Sequence, residues 1–102
     1  MPRRNLTIAE ALTIATRTSA LLPDALTPVV ARETGVKSLQ LLIEFRPTPK
    51  HVTVPGVVTE SCFVSYRNRT EDEFDERCCD AWQQLADAIR VHMRPAKRKR
   101  AM

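Results

Sequence analysis

The sequence predicts one α+β domain, in which two amphipathic helices and one short helix pack on one face of a small antiparallel sheet of two or three strands. Three observations carry this prediction. Two S/T-x-x-E capping boxes, Thr7/Glu10 and Thr70/Glu73, each open a segment with helical apolar spacing. Between those segments, residues 38–46 and 57–67 switch to a two-residue period. The chain has 102 residues, 43% of them hydrophobic and 27% charged, which suits one modest core and argues against global disorder.

In the first helix, expected over residues 8–21, Ile8, Ala11, Leu12, Ile14 and Ala15 follow the Thr7 cap at helical spacing. Leu22-Pro23-Asp24 ends it, because proline disfavours the α conformation at the preceding residue. A short helix is expected at 28–34. Thr27 suits an N-cap, Pro28 the first helical position and Gly35 the left-handed C-terminal position.

In residues 38–46, Leu39, Leu41, Ile43 and Phe45 alternate with Gln40, Leu42, Glu44 and Arg46, the pattern of a half-buried strand, and Pro47 and Pro49 end it. His51-Val52-Thr53-Val54 reads as a short edge strand before the Pro55-Gly56 turn. In the strand at 57–67, Val58, Cys62, Val64 and Tyr66 share one face, with Glu60 as an exception, and Thr59, Ser61, Phe63 and Ser65 share the other. The last helix begins at the Thr70 cap with five acids between 71 and 76, which favour the positive end of the helix dipole. Phe74, Cys78, Ala81, Trp82, Leu85 and Ile89 form its apolar stripe, and Pro95 limits it to about residue 93. The expected order is therefore α-α-β-(β)-β-α, with residues 1–93 as the domain and 94–102 as a basic C-terminal tail.

The net charge of +4 is unevenly placed. From residue 90 onward Arg90, Arg94, Lys97, Arg98, Lys99 and Arg100 stand without an acid, so residues 1–89 carry a net −2. The basicity belongs to the tail, which reads as a solubility element, a polyanion contact or, in a eukaryotic host, a nuclear import signal. No apolar run approaches the ~20 residues of a membrane helix, so no membrane partner is expected, and the N-terminal stretch does not read as a signal peptide. The odd set of Cys62, Cys78 and Cys79 does not form a disulfide framework and is consistent with a reducing, cytoplasmic setting.

The chain offers little for catalysis. Gly35 and Gly56 are its only glycines, so no Gly-rich phosphate cradle is possible. His51 and His92 are the only imidazoles, and neither has a spacing that argues for activating a cysteine. Adjacent Cys78 and Cys79 diverge by about 100° on a helix, so they do not form a zinc pair. No enzyme activity, cofactor or metal is expected.

The expected function is that of a small non-enzymatic protein-interaction module, of the kind that regulatory or viral accessory proteins use. Its partner is another protein, including a second copy of the chain as a homodimer. Leu42, Phe63, Tyr66 and Arg67 are the anchors on the open sheet face and edge. The first alternative is binding of DNA or RNA by the tail residues Arg94, Lys97, Arg98, Lys99 and Arg100, aided by a basic cluster of Arg46, Lys50, Arg67 and Arg69 at the strand ends, where Phe63 and Tyr66 form a stacking platform. The second is a structural subunit of a larger, virion-like assembly.

Overall fold

A computed structural model describes residues 6–32, 36–47 and 56–93. The elements run α1 (Ile8–Thr18), a 3-10 turn (Ser19–Leu21), β1 (Thr27–Arg32), β2 (Ser38–Phe45), β3 (Val58–Ser65) and α2 (Glu71–Met93). The strands form one antiparallel meander in the order β1-β2-β3.

Both capping boxes form. The Thr7 amide donates to Glu10 Oε1 (2.9 Å) and the Glu10 amide to Thr7 Oγ1 (3.1 Å). At α2 the Thr70 amide donates to Glu73 Oε1 (2.9 Å) and the Glu73 amide to Thr70 Oγ1 (3.2 Å). Each pair satisfies two backbone donors that a helix start otherwise leaves open.

The alternation in β2 decides where the core lies. Leu39, Leu41, Ile43 and Phe45 are buried, and the residues between them are half-buried. This inner face packs against Ala11, Ile14 and Ala15 of α1 and Phe74, Cys78, Trp82, Leu85 and Ile89 of α2 in one apolar cluster. Trp82 joins the two helices. Its Nε1 donates to the Ala15 carbonyl (3.1 Å) and to Thr18 Oγ1 (3.1 Å). The Thr18 hydroxyl in turn donates to the Ile14 and Ala15 carbonyls (2.9 and 3.0 Å). Neither buried polar group is left without a partner, which is the condition for placing it in a core.

The short helix expected at 28–34 is instead strand β1. Its six residues pair with β2 from Thr27 opposite Glu44 to Arg32 opposite Leu39. The segment is too short to hold a helix by its capping residues alone. Val29 and Val30 favour extended backbone, and the ladder on β2 supplies hydrogen bonds that an isolated turn lacks. Among the described residues β1 has one neighbour, β2, so Pro28, which has no N–H, is tolerated there. The order is thus α-β-β-β-α, with one helix before the strands and one after. The edge strand expected at 51–54 lies outside the described residues.

Val29→Ala provides a check on β1. Val29 is exposed and faces away from the core, so the change mainly reads backbone preference. A strand loses roughly 0.3–1 kcal/mol of stability in urea unfolding, whereas a helix would become more stable.

Candidate functional site

The helices cover one face of the sheet. On the other, β1 presents Thr27, Val29 and Ala31, β2 presents Gln40, Leu42 and Glu44, and β3 presents Thr59, Ser61, Phe63 and Ser65. Leu42 sits between Val29 and Ser61 in the register, and Phe63 sits opposite Gln40, diagonal to Leu42. Val29 is 41% exposed and Phe63 60%, while Leu42 is half-buried between its neighbours. Leu42 and Phe63 therefore share a small apolar patch, with Phe63 as its most exposed member.

The two sheet edges differ. β1 carries Pro28 and ends in Arg32. β3 has eight residues, Val58–Ser65, without a proline or lysine, and Glu60 is its only charge. An edge of that length is a template for another strand unless side chains block it, and here a side chain, Arg69, takes the carbonyl at its Ser65 end. A groove of about 250 Å³ runs along this edge. Residues 62–65 form one wall, Arg77, Asp80, Ala81 and Gln84 of α2 form the other, and Arg69 also lines it.

The turn after β3 is tightly built. The Tyr66 amide donates to the Lys37 carbonyl (2.9 Å), and Arg69 Nε donates to the Ser65 carbonyl (2.9 Å). Ser65 Oγ donates to the Lys37 carbonyl (3.2 Å) and accepts from the Arg67 amide (3.2 Å). Asn68 takes the left-handed conformation (φ 55°), which asparagine adopts more readily than most residues. This turn fixes Arg67 and Arg69 at the C-terminal end of β3.

Two sequence expectations need correction. Tyr66, expected as a surface anchor, is buried. Its ring meets Phe74 edge-to-face with centroids 6.1 Å apart, so it belongs to the core. The basic cluster of Arg46, Lys50, Arg67 and Arg69 is also divided. Arg46 follows the end of β2 that pairs with the start of β3, whereas Arg67 and Arg69 follow the end of β3. Seven residue steps separate those ends, about 24 Å at strand spacing. With Tyr66 buried and Arg46 remote, no stacking platform forms around Phe63. Lys50 and the tail residues Arg94, Lys97, Arg98, Lys99 and Arg100 lie outside the described residues. Of the four expected anchors, Leu42 and Phe63 share the open sheet face, and Arg67 is exposed in the turn that follows β3.

The groove wall on α2 is not marked by residue types alone, because Arg77, Asp80 and Gln84 look like an ordinary solvated face until β3 is placed beside them. Their spacing of three and four residues is the one local signal that they line a common surface.

The thiols differ in setting. Cys78 is fully buried, and burial first, then the nearby Cys79 and Asp75, push its thiol up to about 12, with a Thr18 contact opposing. Burial also raises Cys62, and burial together with Asp75 raises Cys79, whose Sγ lies 3.7 Å from Asp75 Oδ1. These directions favour unreactive thiols. Among the described residues no three His, Cys, Asp or Glu side chains gather closely enough to hold a metal ion. No helix there is long and apolar enough to cross a membrane.

No protein-family model, curated protein or solved structure matches this chain.

The buried thiol sets a pH dependence. Folded Cys78 keeps its proton where the unfolded chain releases it, above a pKa of about 8.5. Its contribution is therefore complete below pH ~8 and is lost as pH rises toward 12. Urea unfolding should show stability declining across that window, and Cys78→Ala should flatten the decline. An equal slope in both proteins would contradict the assignment.

Proposed function

We propose that this protein is a non-enzymatic interaction module that binds another protein chain along the free edge of β3 and the adjoining open sheet face. The observation that carries this reading is the edge itself: eight residues without proline or lysine, next to an exposed Phe63 and a groove against α2. Strand addition draws affinity from main-chain hydrogen bonds and selectivity from pockets that take alternate side chains. The backbone of β3 supplies the first. The Phe63–Leu42 patch on one face and the groove on the other supply the second. Arg67 at the strand end adds a charge that orients an incoming chain.

Nucleic-acid binding is the second reading, and the run from Arg94 to Arg100 favours it. The folded part adds less to it. Arg46 is remote from Arg67 and Arg69, and α2 starts with Glu71, Asp72 and Glu73, which repel phosphate.

Panning of a random peptide display library on the full chain tests strand addition. Selected peptides should be β-prone and bind in the micromolar range, and Phe63→Lys should weaken them at least about tenfold. Absence of enrichment, or equal binding by Phe63→Lys and wild type, would contradict the proposal.

A further inference from the structure

We infer that the chain occupying the β3 edge is a second copy of this protein, with the two β3 strands paired antiparallel about a two-fold axis near Phe63. The inference rests on the strand-edge reading above and names its partner.

The first support is the difference between the edges. β1 contains Pro28, whose missing N–H interrupts a ladder, while β3 has no such interruption. Self-pairing therefore selects β3 against β3.

The second support is the charge order along this edge. Glu60 stands near the start of the strand, and Arg67 and Arg69 stand just past its end. Antiparallel pairing centred on Phe63 sets Glu60 opposite Tyr66 of the second copy, on the helix-covered side where that copy's Arg69 lines the groove. Parallel pairing would place like charges together. Glu60 is half-buried, points to the helix-covered side and has no side-chain hydrogen bond or ion pair among the described residues. A cation from the second copy would provide one.

The third support is Phe63. At 60% exposure it is the most exposed large apolar side chain among the described residues. An axis through its position brings it against its own symmetry mate, so both rings lose contact with water. The groove carries charges of both signs, Arg69 and Arg77 beside Asp80. The result is a six-stranded sheet with four helices on one face, in which the exposed β3 edges are gone.

The test is sedimentation of the full chain at low salt, from about 5 to about 500 µM, with four variants. Wild type should show a monomer–dimer equilibrium in the micromolar range. Glu60→Arg and Arg69→Glu, each of which creates a like-charge contact, should each weaken association about tenfold. The double variant should return to within about threefold of wild type, which a folding defect would not produce. Phe63→Lys should remain monomeric. A wild-type chain that is monomeric throughout, or single charge variants that associate as wild type does, would overturn the inference. So would a double variant weaker than either single one. A monomeric chain that still binds display-selected peptides through Phe63 would overturn the second copy alone. Loss of both bindings would remove the strand-edge reading as well.

Discussion

The position of the Trp82 indole between α1 and α2 is the constraint from which the rest of the structure follows. The ring is fully buried, and its one N–H has to find acceptors within the core. It finds the Ala15 carbonyl and Thr18 Oγ1, near the end of α1. This contact ties residues 67 and 64 positions apart and sets the two helices side by side on the same face of the sheet. The Arg17–Asp75 ion pair (2.7 Å) spans the same helix pair at the surface, where exposure makes it worth little. With both helices committed to one face, nothing in the chain's described part covers the other.

That one-sided cover creates the asymmetry on which the functional reading stands. A three-stranded meander has two edges and two faces, and two helices can close only one face. β1 limits its own edge with Pro28. β3 has no proline, and among the described residues its edge is limited at Ser65, whose carbonyl accepts from Arg69 Nε. The exposed Phe63 lies where this edge meets the open face. An interaction module needs little more than such a place.

Much of this architecture is legible in the amino-acid sequence. The capping boxes at Thr7 and Thr70, the alternation in β2 and the apolar stripe of α2 are local patterns, and each depends on only a few neighbouring residues. Legibility ends where local signals conflict with pairing. Thr27, Pro28 and Gly35 describe a helix as well as they describe a strand between two turns, and only the ladder on β2 decides between them. Thr18 reads as an ordinary threonine late in a helix, because its partner Trp82 is remote in sequence. The placement of Tyr66 is readable from alternation, which puts it with Cys62 and Val64, but its hydroxyl invites a surface role. The division of Arg46 from Arg67 and Arg69 follows from antiparallel pairing, which residue counting along the chain does not reveal.

The central claim is that the β3 edge, rather than the β1 edge, is the surface that takes a partner strand. Residue-resolved hydrogen exchange of the full chain at low and high concentration tests it most directly. The account predicts that outward-facing β3 amides become protected as concentration rises, while β1 amides keep one rate throughout. Equal exchange at both edges, unchanged by concentration, would contradict it.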